Sequence, residues 1–267
     1  KEKEKEKEKE KEKGQELVKE KEEQDKEKEP QLGPIKLNYE RTLRISSEQW
    51  RECFPSHFIE FGCNNTKLCG GYLLIDIIKN ATSKVLTMKD IKDELYQEYV
   101  PFLPTYQNTI LKELISEGKP VDEGKSVKEK KTTFQQFINS ENYFITYMDI
   151  WMILRKYKIP SMLISSIGIK LTSDKKGNAF VLYGTQTDKM LFILFRKNTI
   201  PTGPEFSLIQ SPSDNKTYPG NKFPMTIFTK ESCIKTIKDA FDNSIDIETF
   251  LLRSNKKIKL VLEGDEN

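Results

Sequence analysis

The stretch Cys69-Gly70-Gly71-Tyr72-Leu73-Leu74 is where residue type and spacing come nearest to chemistry. Two glycines run into Tyr72-Leu73-Leu74-Ile75-Asp76-Ile77-Ile78, a pattern that fits a loop entering an apolar helix. A sulfur nucleophile is favoured at such a junction, because the helix dipole and the free backbone N–H groups support a thiolate and can stabilise an oxyanion. Cys69 is therefore a candidate nucleophile. It would need an imidazole, and His57, the only histidine, lies before it in the chain. The plainer reading of Cys69 is a small residue buried under a glycine turn, and of His57 a surface or half-buried loop residue.

Other chemistries find little here. Cys53, Cys63, Cys69 and Cys233 lack the paired spacing of zinc sites, so neither a metal nor a cofactor is expected. Free thiols in a reducing compartment are the expectation, hence a cytoplasmic setting. Gly70-Gly71 is followed by neither the Gly-Lys-Ser/Thr of a phosphate loop nor a dinucleotide fingerprint. Residues 1–29 hold 11 Lys against 13 acidic residues, which leaves the body with 33 basic and 28 acidic groups, a net of +5. That charge, and a basic string Lys125 to Lys131 without interleaved aromatics, argues against nucleic acid. The most apolar stretch, Tyr143 to Ile169, carries Asp149, Arg155, Lys156, Lys158 and Pro160, so no membrane span is expected.

The elements that must position Cys69 are legible in part. Residues 1–33 are expected to be a Lys/Glu low-complexity linker or frayed helix, residues 34–263 a single α+β domain, and residues 264–267 a linker end. The chain opens on Lys1 rather than Met, which suggests a piece of a longer polypeptide. Lys, Ile and Asn are abundant, as AT-rich genomes encode, which points to a large DNA virus or a protist, and to the virion or infected cytoplasm if viral.

Capping patterns at Ser46 to Gln49, Thr87 to Asp90 and Thr146 to Asp149 predict three helix starts, with Asp149 a capping carboxylate. The second helix runs from Met88 to about Tyr99, burying Ile91, Leu95 and Tyr99, and the third from Tyr147 to about Tyr157. Further helices are expected over Leu73 to Asn80 and Lys230 to Asn243, the latter capped by Thr229. Strands are expected at Ser161 to Ser165, Ala179 to Tyr183, Met190 to Phe195, Phe206 to Gln210 and Met225 to Phe228, with a last one over Lys256 to Glu263. Their continuous apolarity predicts a sheet covered on both faces. Phe192, Phe195, Phe206, Phe223 and Phe228 are assigned to the core, and Glu117 to Thr133 to a surface excursion.

In this order the chain resembles the OTU family of papain-like deubiquitinating cysteine proteases. Their nucleophile motif, Asp-Gly-Asn-Cys-Leu-Phe, falls without gaps on Cys69-Gly70-Gly71-Tyr72-Leu73-Leu74 and puts Tyr72 in the place of the cysteine. The family's Trp-Gly-x-x-Glu-Leu segment is similar to Tyr147 to Leu154, with Asp149 on the Glu, although the tryptophan and glycine are out of place. The strand that begins with the family's His matches Glu205-Phe206-Ser207-Leu208-Ile209, with Glu205 in the His position.

The resemblance implies a papain-like OTU-type fold, helices of the N-terminal half packed on a mixed or antiparallel sheet from the C-terminal half. It also implies a degenerate site at Cys69, Gly70, Gly71, Tyr72 and Glu205 without catalysis. A phenol with a pKa of about 10 stays protonated at neutral pH, and a carboxylate at about 4.3 is a poor base for it. What it leaves is a protein-binding or assembly role, with ubiquitin or a ubiquitin-like protein the candidate partner. Two alternatives stand beside it: an active deubiquitinase or thiol hydrolase using Cys69, and an unrelated α+β structural or interaction domain. Oligomeric state is not readable from the residues.

Overall fold

The computed structural model describes residues 41–62, 68–116, 127–169, 177–196, 203–211 and 221–264, with the side chains of 41–43 and 257–264 left out. Asn38–Asn267 form one compact unit. The expected linkers at 1–33 and 264–267, and most of the surface excursion, lie outside the described residues, Gly264 excepted.

A six-stranded mixed sheet forms the middle layer. Its strands are β1 (Arg41–Arg44), β2 (Ile59–Gly62), β3 (Ser161–Ile169), β4 (Gly177–Tyr183), β5 (Leu191–Arg196) and β6 (Glu205–Gln210). They lie in the order β1-β2-β6-β5-β3-β4, where β3 and β5 run parallel and every other pair antiparallel. The central runs Met162–Ile164, Ala179–Leu182 and Leu191–Phe195 are unbroken apolar because both faces are covered there, as expected from the sequence. Leu163, Phe180, Leu182, Ile193, Phe195, Phe206 and Leu208 point into one core, and Met162, Ile164, Val181, Phe192, Leu194 and Ile209 into the other. Side chains alternate along a strand, so adjacent residues serve opposite layers.

The thicker layer is built from α2 (Cys69–Thr82), α3 (Met88–Tyr99), α4 (Leu103–Ser116), α5 (Phe134–Asn139) and α6 (Tyr147–Lys156), joined by α8 (Ile247–Gly264). Thr87 with Asp90 and Thr146 with Asp149 form complete capping boxes, and α3 buries Ile91, Leu95 and Tyr99. Asp149 also reaches across the layer. Fully buried, it accepts hydrogen bonds from Tyr99 Oη at 2.7 Å and Tyr143 Oη at 2.9 Å, tying α3 and the preceding loop to α6.

The thinner layer holds α1 (Glu48–Arg51), a 3-10 turn at Met225–Ile227 and α7 (Glu231–Asp242). Burial of α7 is sparse: Cys233, Ile237 and Ala240 are buried out of twelve residues. Ile237 and Ala240 contribute about 2–4 kcal/mol by burial, whereas fixing the backbone of a helix this long costs on the order of 10–20 kcal/mol. A disulfide joins Cys53, just after α1, to Cys233.

Several expectations are corrected. Helices are not confined to the N-terminal half, since α7 and α8 follow the sheet and β1 and β2 precede most helices. Met225 to Phe228 is a 3-10 turn rather than a strand, and Lys256 to Glu263 continues α8. The first helix is capped by Ser47 rather than Ser46, whose hydroxyl is engaged with Glu60. Lys230, not Thr229, is the N-cap of α7, without a side-chain bond. Phe223 is only partly buried, while Phe192, Phe195, Phe206 and Phe228 are in the cores. Among the described residues no free thiol is found: Cys53 and Cys233 are paired, and Cys69 is also disulfide-bonded. The argument from thiols to a reducing, cytoplasmic setting therefore falls. Among the described residues, no helix is long and apolar enough to cross a membrane.

Candidate functional site

The helix that the glycines announce is α2, and it begins at Cys69 itself. Its first turn is pressed against the sheet and the α5–α6 loop so closely that side chains are excluded. A Cβ on Gly70 would sit 2.9 Å from Ile145 Cβ and 3.2 Å from Phe206 Cδ2, and one on Gly71 would sit 2.4 Å from the end of Met88. Leu68, the N-cap, provides no side-chain bond, and the first turn carries no acid. Cys69 is 2% exposed, with its Sγ 3.4 Å from the carbonyl oxygen of Phe206. As a disulfide sulfur it has no proton to donate and no thiolate to offer.

Tyr72 stands on the outward flank of α2, half-buried, its amide bonded to Leu68 O at 3.0 Å. Asp76, one turn along on the same flank, is also half-buried. Burial pushes its carboxyl up to about 6, against a small opposing pull from Lys79. Sequence reasoning did not single out Asp76. The available signal was an acid at i+4 from Tyr72 on a helix otherwise apolar from Leu73 to Ile78.

Glu205 opens β6, as its place in the sequence predicts, but it does not meet Tyr72. The residue of β6 that faces α2 is Phe206, buried in the core of the thick layer. Glu205 shares the other face with Ser207 and Ile209, and there it accepts from Arg196 Nε at 3.2 Å. Arg196 is the hub of a polar cluster. It also bonds Glu60, Ser207 Oγ at 3.1 Å and Ser46 Oγ at 2.7 Å.

Glu60 is 4% exposed and accepts from both the amide (2.8 Å) and the hydroxyl (2.7 Å) of Ser46. Its burial raises the carboxyl, yet the bonds from Ser46 and Arg196, with the guanidinium charge, hold it below its ordinary value. This cluster was not found from sequence. Its five members are spread over four segments, two of them on β6, with no motif to join them.

His57 is exposed, its ring against Phe58, which belongs to the core of the thin layer. Gly70, next to Cys69, packs on Phe206 in the thick layer. The sheet thus lies between the imidazole side and the α2 start, and the alternative Cys69–His57 pair is not assembled. Among the described residues, no group of three or more His, Cys, Asp and Glu could hold a metal ion. Compared with protein-family models, curated proteins and solved structures, the chain matches none.

Proposed function

We propose that this is a non-catalytic α+β module of OTU-like descent whose role is protein binding or assembly. One observation carries the reading: the helix start that would present a nucleophile instead meets Ile145, Phe206 and Met88, and its sulfur is oxidised. An acyl transfer there would need a thiolate and a base within about 3 Å of each other. Glu205 is held by Arg196 on the far face and His57 lies on the same far side. The OTU-like descent is supported by the order of parts, an apolar glycine-led helix, capped helices, then strands beginning at Ser161 and Glu205. The outward flank of α2 at Tyr72 is the surface assigned to the partner, with ubiquitin or a ubiquitin-like fold as the candidate.

Two measurements on the full chain test this. Incubation with a ubiquitin-derived cysteine electrophile under reducing conditions is expected to give no adduct, and an adduct lost in Cys69→Ala overturns the non-catalytic reading. Titration with ubiquitin by calorimetry, repeated on Tyr72→Ala, tests the partner. Loss of binding in the variant supports the α2 flank, and equal binding by both removes it.

A further inference from the structure

Few apolar side chains hold α7 in the thin layer, and a disulfide adds to them. On α7 three residues are buried, one of them Cys233 itself, and Phe241 is partly buried against the same core. By contrast α6 buries eight of ten residues, and α3 adds to its three a complete capping box and the Tyr99–Asp149 bond. The N-terminus of α7 lacks a side-chain cap. Beside the disulfide its other tie to α1 is the Lys230–Glu52 ion pair, whose side chains are 50% and 55% exposed, and such a pair adds little.

The chain on either side of α7 is independently fixed. Phe228 before it packs edge-on against Phe54 and Phe192, and Ile247, Phe250 and Leu251 after it sit in the other core. Residues 229–246 are therefore a segment with firm ends and a weakly held middle. The face of α7 that is buried shares its core with Ala179 and Val181 of β4, the strand at the edge of the sheet, against which α7 packs.

We infer that the Cys53–Cys233 disulfide is a redox latch on α7: when it is reduced, residues 229–246 open locally and uncover the Ala179–Val181 face of β4, while the sheet and thick layer stay folded. The chemistry balances with a dithiol reductant. Its thiolate attacks one sulfur of the pair, the S–S bond breaks, and the mixed disulfide resolves to two cysteine thiols and one oxidised dithiol, two electrons and two protons having passed to the protein. Local opening of this kind is the behaviour of units with few buried apolar contacts.

Amide hydrogen exchange by mass spectrometry decides it, on the full chain oxidised, on the same protein after dithiothreitol, and on Cys53→Ala/Cys233→Ala. Protection of 231–242 is expected to fall by about 30- to 1000-fold on reduction, with protection of β3, β5 and β6 unchanged and binding of a hydrophobic dye increased. The double variant should match the reduced protein. Ile237→Ala in the oxidised protein should keep most of the α7 protection. Unchanged protection of α7 on reduction overturns the latch. So does loss of protection throughout the sheet in the double variant, which makes the Cys53–Cys233 bond a global staple, and so does recovery of Cys53 and Cys233 as thiols from the air-oxidised protein.

Discussion

Replacing Asp149 by alanine should be among the most damaging single changes in the thick layer, and the reason can be worked through. The carboxylate is fully buried and accepts from Tyr99 Oη at 2.7 Å, Tyr143 Oη at 2.9 Å and the Thr146 amide at 2.9 Å. Removing it takes the carboxylate acceptor from two buried phenols and one amide, each lost bond costing about 1–3 kcal/mol. Part of that is returned because a buried charge no longer has to be desolvated. A net loss of about 3–5 kcal/mol is expected once that return is set against the lost bonds. For a domain of this size that is a fall of roughly 6–20 °C in Tm.

The sharper test is a cycle with Tyr99→Phe, measured by urea unfolding. Alone, Tyr99→Phe should cost about 1–2 kcal/mol, since it removes a donor from a charged acceptor. In the Asp149→Ala background it should cost clearly less, because the bond to the carboxylate is already gone. Equal costs in both backgrounds would refute the coupling and return Asp149 to a simple helix cap.

Gly70→Ala should destabilise more than Gly71→Ala, by about 1–3 kcal/mol of overpacking. The first meets the stiff, β-branched Ile145 and the Phe206 ring, the second only the movable end of Met88, and thermal melts of the two variants compare them. Arg196→Met should cost about 3 kcal/mol or more by leaving Glu60 buried without its cation, and Glu60→Gln in the same background should recover part of it in chemical denaturation. Glu60 has a folded pKa below its unfolded value, so its contribution is present above the unfolded pKa and disappears as pH falls through the folded one. Acid titration of wild type against Glu60→Gln should show the difference closing below about pH 4.5. Asp76 runs the opposite way: raised to about 6, it favours folding most when protonated, and that advantage is lost as pH rises through 6. Asp76→Asn should therefore be more stable than wild type at pH 7–8 by about 1–3 kcal/mol and equal to it near pH 4, checked by melts across that range.

The elements that sequence reading captured are those with local causes. Thr87 with Asp90 and Thr146 with Asp149 satisfy their own backbone donors within four residues, so α3 and α6 are readable without knowing what they pack against. The runs at Ala179 and Phe206 are apolar because helices cover both sides, and unbroken apolarity is itself the mark of a central strand. Where the cause is distant, the reading fails. Met225 to Phe228 has strand composition but pairs only at its edge, where Phe223 bridges Met190. Cys53 and Cys233 lie 180 residues apart, and nothing near either one announces that folding brings their Cα atoms to 5.6 Å.

The candidate site shows the same limit at its finest scale. The sequence reading puts a helix over Leu73 to Asn80 and a strand over Phe206 to Gln210; the helix starts four residues earlier, at Cys69, and the strand one residue earlier, at Glu205. Chemistry, however, depends on which way each side chain points, and along a strand that reverses at every residue. Glu205 and Phe206 are neighbours in the chain and on opposite sides of the sheet. Because it is Phe206 that faces Gly70, a ring meets the helix where a base would be required, and the carboxylate one position earlier is committed to Arg196. The parity of a single strand residue thus decides that this helix start and this carboxylate do not act on each other.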